Sequence, residues 1–342
     1  MTPTYERPLV SLPKAHLHVH LEGAMRPATL RELADAYGVP VPTPAGHYGT
    51  FAAFQCLYLA ARAVLRSLDD LVRLVHEVVA DAAGDGAVWV EPAVHLPDHR
   101  ALGTDDEVLG ALVEAGRRAA AATGVGVGWL LAADRARGPD LALEQAALSA
   151  RHAGSDVVAF GLANDEAACP PEPFAAAFAV ARGAGLLSTP HAGEHAGPAS
   201  VRGALEALDA DRVQHGVRSV DDPGLVRRLA GEGVCLDVCP TSNVSLGVVP
   251  ALGAHPLPAL LEAGVPCSIN ADDPLLFGVG LLDEYETSRR HLGLDDAALA
   301  ACARTSLEHS AAPGDLKARA LRAVDHWMEA SPDGVDVHHR PW

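Results

Sequence analysis

Two histidines separated by one residue, His18 and His20, are the first residues whose spacing suggests chemistry, because on a strand both imidazoles point to the same face. His16 extends the pattern to three alternating histidines, one of which can serve structure alone. With 17 histidines in 342 residues such a pair also arises by chance, so it needs partners. They lie far along the chain: His191 in His191-Ala192-Gly193-Glu194, His215 in Gln214-His215-Gly216, and the pair Asp272-Asp273. Three imidazoles and a carboxylate suit Zn²⁺ with one position left for water, and Mn, Fe or Co accept ligands of the same type. Glu194 stands three residues past His191, suitably for proton transfer, and equally suits a helix start stabilised by the macrodipole. His215 reads either as part of the cluster or as a core histidine bonded to backbone. Cys239-Pro240-Thr241-Ser242-Asn243 reads as a turn rather than a substrate contact.

Residues so far apart meet only if a regular scaffold gathers them. Short apolar runs at 15–20, 87–94, 125–132, 157–163, 187–191, 212–215, 234–239 and 266–270 have strand character. Between them lie amphipathic stretches at 68–83, 105–122, 139–152, 173–183, 198–208, 222–230 and 257–263. Eight strands alternating with helices predict an α/β (β/α)₈ barrel, whose active sites lie at the C-terminal strand ends. His20, His191, His215 and Asp272 all fall at such ends. The long connection from Gly38 to about Asp69 carries Phe51, Phe54, Leu57 and Tyr58 at helical spacing, either as a substrate-covering lid or as packing on the barrel. A C-terminal helix is expected over 315–329, followed by a polar tail to Trp342, and no linker or repeat divides residues 1–342 into more than one domain.

The net charge of −18 argues against nucleic acid or an anionic membrane as partner. Six scattered cysteines without a CxxC pair read as reduced core residues. No signal-like or membrane-spanning stretch is evident, so a soluble, cytoplasmic protein is expected, its oligomeric state open. Only Lys14 and Lys317 are lysines, and neither ends a strand. That weighs against binuclear hydrolases bridged by a modified lysine. A small zinc-deaminase fold lacks its H-x-E…P-C-x-x-C signature here.

At these residues the sequence resembles the adenosine deaminase family of the amidohydrolase superfamily. The matching motifs are Pro13-Lys14-Ala15-His16-Leu17-His18-Val19-His20-Leu21-Glu22-Gly23, Asn164-Asp165-Glu166, His191-Ala192-Gly193-Glu194, Gln214-His215-Gly216, Cys239-Pro240-Thr241-Ser242-Asn243 and Asn270-Ala271-Asp272-Asp273-Pro274. They run in the family's order, and Glu284-Tyr285 extends the match to residue 285. The resemblance implies a zinc-dependent hydrolytic deaminase of a 6-aminopurine nucleoside, with one Zn²⁺ per chain held by His18, His20, His191 and Asp272. It further implies Glu194 as proton shuttle to the ring nitrogen beside the attacked carbon and His215 as the residue orienting water. Asp273 then hydrogen-bonds the imidazole side of the purine. His20 and Asn164 join it in contact with substrate, beneath Phe51, Phe54 and Tyr58.

Some positions depart from the family's pattern: His16 stands for Glu, Asn164 and Gln214 for Gly, and Glu91-Pro92-Ala93 lacks the arginine often found two residues past the glutamate. These changes are expected around the substrate. The stretches 160–166 and 275–278 resemble an actinobacterial branch linked to 6-aminodeoxyfutalosine, a carboxylate-bearing menaquinone precursor. Such a substrate calls for an arginine, with Arg62, Arg66 and Arg135 as candidates. The alternatives are a mononuclear relative acting on another amine such as adenine, and a catalytically silent purine-binding barrel, which predicts no stoichiometric metal.

Overall fold

The structure, a computed structural model, describes residues 6–41, 46–48, 50–154 and 156–330. Its strands are β1 (Lys14–His20), β2 (Ala87–Val94), β3 (Trp129–Asp134), β4 (Val157–Ala163), β5 (Leu187–Ala192), β6 (Arg212–His215), β7 (Cys235–Val238) and β8 (Cys267–Ile269). Each pairs in parallel with the next. The ring comes together through a parallel bridge between Val19 and Asp272. There His20 N–H donates to Asp272 O (2.9 Å) and Asp272 N–H to His18 O (3.1 Å). Asn270 Oδ1 accepts from the amides of Leu17 and His18 across the same seam. The expected (β/α)₈ barrel is present, and the seam itself carries His18, His20 and Asp272.

One strand differs from the sequence reading. The run expected over 125–132 is broken at Gly128, with a two-residue bridge at Gly126–Val127 pairing separately with β2. A Cβ on Gly126 or Gly128 would come within 2.5 or 2.6 Å of the Trp89 ring. Glycine there lets the indole lie against the strand while its Nε1–H donates to Glu91 Oε1 at 2.8 Å.

The helices begin with α1 (Pro27–Tyr37), α2 (Phe51–Arg62) and α3 (Leu68–Gly84) in the long connection after β1. In α3, a Ser67–Asp70 capping box starts the helix, and Leu71, Leu74, Val75, Val78 and Val79 form its buried stripe. Then come α4 (Asp105–Thr123), α5 (Pro139–Arg151), α6 (Ala175–Gly183), α7 (Pro198–Ala207), α8 (Pro223–Glu232), α9 (Pro240–Ser245) and α10 (Leu257–Glu262). The chain continues with α11 (Pro274–Phe277), α12 (Leu281–Leu292), α13 (Asp296–His309) and α14 (Gly314–Glu329). The expected C-terminal helix is α14; the tail from 331 to Trp342 lies outside the described residues. Helix α13 packs against β1 and β8, over the seam.

The barrel interior is polar at its base. Arg212, 1 % exposed, donates to Glu91 Oε2 (2.6 Å), Asp237 Oδ2 (3.0 Å) and the carbonyl of His309 (2.7 Å). A buried guanidinium flanked by two carboxylates tolerates its desolvation because each charge is paired and hydrogen-bonded. Among the described residues no helix is long and apolar enough to cross a membrane. All six cysteines are unpaired.

Candidate active site

Four strand ends meet at one mouth of the barrel. One ligand atom from each of His18, His191, His215 and Asp272 lies within 4.8 Å of the others, and His20, Asp272 and Asp273 form an overlapping group. His18 Nε2 and His20 Nε2 are 3.2 and 3.3 Å from Asp272 Oδ1. His20 Nε2 also lies 3.3 Å from His191 Nε2. His16 does not join them: buried, its Nε2 accepts the Ala271 amide at 3.2 Å, the structural role left open for one of the three histidines.

The donor set fits a divalent ion. His191 Nδ1 lies 3.0 Å from Leu162 O and His18 Nδ1 3.2 Å from Asp237 O. A carbonyl only accepts, so both rings carry their proton on Nδ1 and turn an Nε2 lone pair toward the cluster. Atoms bound to a tetrahedral ion at about 2.0–2.1 Å sit about 3.3 Å apart, the spacing observed here. Burial, reinforced by the neighbouring imidazoles, holds His191 well below the ordinary histidine range and hence neutral. Burial pushes Asp272 up, but the His18 and His20 imidazoles outweigh it and keep the carboxylate charged.

Beside the cluster the ionisation reverses. Burial, with the charges of Asp272, Glu166 and Asp273, pushes the Glu194 carboxyl well above the usual range. Burial and Asp272 do the same to Asp273. Glu194 Oε1 and Asp273 Oδ1 are buried without a hydrogen-bond partner among the described residues, and both residues line the same cavity. The turn bearing Glu194 is held by Glu166, whose carboxylate accepts the amides of Gly193, Glu194 (2.9 Å) and Ala196 (3.0 Å). Asp273 lies so close to Gly23 that a Cβ there would be 1.7 Å from Oδ1. His215, at φ 63°, turns Nε2 to 3.5 Å from Glu194 Oε1.

The cavity above is about 310 Å³ and is roofed by α2, whose Phe51, Phe54, Tyr58 and Leu59 line it. Phe54 also stacks on Phe277, with centroids 5.5 Å apart, so the lid and packing readings both apply to it. Leu57 does not line the cavity. Polar latches tie α2 to the rim. Tyr58 donates to Glu22 Oε2 (2.9 Å), Gln55 to Asn164 Oδ1 (2.9 Å), and Arg62 pairs with Asp98. Glu22 Oε1 takes a 2.5 Å hydrogen bond from His99 Nε2, so both its oxygens are engaged.

Asn164 lines the cavity at φ 80°, the left-handed region that glycine enters freely and that asparagine tolerates better than most other residues. Its side chain faces Gln55 and Asp134. Ala93, which stands where the arginine is missing, also lines the cavity, as expected, whereas His16 and Gln214, contrary to expectation, do not. Gln214 is buried on β6, and Glu91, two residues before Ala93, belongs to the ion cluster at the barrel base. Of the candidate arginines, Arg135 points inward to the carbonyls of Cys169 and His191, and Arg66 lies over the Tyr37 ring. The motif Cys239–Asn243 is more than a turn. It opens α9 and reaches the cluster from behind, with Cys239 Sγ 3.4 Å from His18 Nδ1 and Ser242 donating to Asp272 Oδ2 at 2.7 Å. Glu22, His99, Glu166 and Ser242 carry no role in the sequence reading. The only signal was that Glu22, Glu166 and Ser242 sit inside quoted motifs.

A parallel eight-stranded barrel with an ion-sized cluster of imidazoles and carboxylate at its mouth, next to a buried neutral acid, defines the class: a (β/α)₈-barrel hydrolase. Within that class the chain belongs to the adenosine deaminase family, whose model, described as adenosine deaminase, matches residues 13–327. A Streptomyces virginiae protein provisionally named adenosine/adenine deaminase is 45% identical over 335 residues, covering 95% of this chain and 99% of the relative. The crystal structure of adenine deaminase from Arthrobacter aurescens superposes with a TM-score of 0.87 at 31% identity, covering 93% of this chain and 99% of that one. That of a Burkholderia ambifaria amidohydrolase with bound Zn gives a TM-score of 0.83 at 27% identity, over 94% and 93% of the two chains.

Proposed function

We propose that this protein is a zinc-dependent aminohydrolase of a 6-aminopurine, taking the free base adenine ahead of its nucleosides, with residues 1–342 acting as one domain. The observation that carries the reading is the pair of buried carboxyl atoms without a hydrogen-bond partner among the described residues, Glu194 Oε1 and Asp273 Oδ1, in two residues that line one cavity beside the His/Asp cluster. A flat heterocycle with nitrogens on both rings gives each a partner. The preference for the free base follows from the rim, where Glu22, Arg62, Asn164 and their neighbours are already paired with one another. A ribose or carboxylate entering there would have to break an existing pair. Zinc is the ion that three imidazoles and a carboxylate suit best, and an amidohydrolase of the same fold carries it.

In this reading His18, His20, His191 and Asp272 hold the ion. When bound, it supplies the Lewis acidity that brings the pKa of water from 15.7 to about 7, worth about 12 kcal/mol. Glu194 enters protonated and delivers its proton to the ring nitrogen beside the amine-bearing carbon as the water oxygen adds to that carbon. Asp273, also protonated, donates to the imidazole side of the purine. His215 directs the attacking water, and Phe51, Phe54 and Tyr58 cover the ring. One proton of the attacking water returns to the Glu194 carboxylate, the other passes from the new hydroxyl to the amine, and the carbon–nitrogen bond breaks, so that ammonia leaves and the 6-oxopurine remains. Six unpaired cysteines agree with a reducing compartment such as the cytoplasm.

The test is ammonia release from adenine, adenosine, 2′-deoxyadenosine and 6-aminodeoxyfutalosine by zinc-loaded protein. Adenine is expected to have the highest kcat/KM. A higher value for either nucleoside replaces the free-base preference with the nucleoside reading, and preference for the carboxylate-bearing compound assigns the menaquinone branch. Tight purine binding without turnover would establish the silent barrel.

A further inference from the structure

Behind His215, the Asn243 amide Nδ2 lies 3.2 Å from the imidazole Nδ1. On the other side of that amide, His255 Nε2 is 3.2 Å from Asn243 Oδ1. His255 Nδ1 in turn accepts the backbone N–H of Leu257 at 3.1 Å. All three side chains are buried. The direction of this chain follows from its far end. A backbone N–H only donates, so His255 Nδ1 carries a lone pair and the ring proton is on Nε2. That proton meets Asn243 Oδ1 and fixes which way the amide faces. Asn243 Nδ2–H then donates to His215 Nδ1, so the His215 proton belongs on Nε2, the atom turned toward Glu194 and Asp272.

We propose that Asn243 and His255 are positioning residues whose hydrogen-bond chain, anchored at the Leu257 amide, sets His215 in the Nε2–H tautomer. His215 therefore offers the reacting atoms a donor and never a lone pair. The inference rests on the reading of His215 as the imidazole that directs water. It also separates His215, whose ligand atom groups with those of His18, His191 and Asp272, from His20, whose Nε2 lies 3.3 Å from both His191 Nε2 and Asp272 Oδ1: a protonated Nε2 does not ligate a cation, which leaves His20 as the third imidazole donor. Burial holds His255 down at about 4, so the chain keeps its direction across the neutral range.

The experiment reads the tautomer directly. Protein labelled with ¹⁵N-histidine is examined by long-range ¹H–¹⁵N NMR with and without zinc, the His215 signals being assigned through His215→Asn. Wild type is expected to show His215 protonated on Nε2 in both states. His255→Phe removes the donor that orients Asn243 and is expected to mix the tautomers and lower kcat roughly 10²- to 10⁴-fold, the range of a misplaced imidazole proton, with KM within about twofold. His255→Gln, which restores an N–H donor, is expected to recover both the spectrum and most of kcat. A wild-type His215 protonated on Nδ1, or a His255→Phe spectrum identical to wild type, overturns the proposal. The expected tautomer in a protein that turns over no purine would uphold the chain and reject the proposed function instead.

Discussion

The Tyr58 hydroxyl donates to Glu22 Oε2 at 2.9 Å, fastening the helix that roofs the cavity to the loop just after the first strand. Burial raises both groups, but the His99 hydrogen bond overrides it in Glu22 and holds that carboxyl below its usual range. Tyr58, with Glu22 beside it, stays well above the ordinary phenol range. The contact is therefore a neutral hydroxyl on a carboxylate, the stronger kind of hydrogen bond, typically about 1.5–3 kcal/mol. Tyr58→Phe keeps the aromatic wall and removes only this latch. KM is expected to rise by about tenfold with kcat within about threefold, the signature of lost binding common to ground and transition states. Steady-state kinetics showing an unchanged KM would detach the latch from substrate retention.

The facing Nε2 atoms of His20 and His191, 3.3 Å apart, call for a cation between them. Purified protein is expected to contain one divalent ion per chain by elemental analysis. His18→Ala or His191→Ala should reduce occupancy to a few per cent, since each removes a donor whose ring is already oriented by a carbonyl. Full occupancy in either variant would refute the ligand assignment.

Glu194→Gln preserves shape while removing the proton that the buried acid holds. The expected result is full metal content with kcat at least ~100-fold lower, the lower end for general acid–base catalysis. Near-wild-type turnover would take Glu194 out of the mechanism.

How much of this was legible in the sequence depends on distance along the chain. The strands over 87–94, 157–163 and 212–215 have the bounds the apolar runs predict, because β-rich runs in a parallel barrel are buried on both faces. The cluster was legible because each donor sits within three residues of a strand's C-terminal end. What escaped was whatever depended on a second layer. Trp89 breaks the third strand through two glycines, α12 and α13 follow the last strand where no alternation calls for helices, and Arg212 claims Glu91 from the far side of the barrel. Glu166 and Ser242 were visible only as motif letters, since their work is to hold other side chains and backbone amides.

Glu284 predicts how stability responds to pH. Buried on α12, it is pushed up to about 8, although the Thr241 amide, donating to Oε1 at 2.9 Å, opposes the shift. The folded protein therefore keeps this proton up to about pH 8, while the unfolded chain releases it near the ordinary glutamate value of 4.5. Between those values the native state binds more protons, so stability falls as pH rises through the window, by about 5 kcal/mol at most from this group. His255, held down at about 4, acts in the opposite sense, costing stability as pH drops from about 6.5 to about 4. Glu284→Gln keeps the acceptor for Thr241 and cannot ionise. Its stability should match wild type near pH 4.5 and exceed it progressively toward pH 8, measured by urea unfolding at fixed ionic strength. Parallel wild-type and variant curves across that range would mean that Glu284 is ionised in the fold, and that a cation or water compensates its burial.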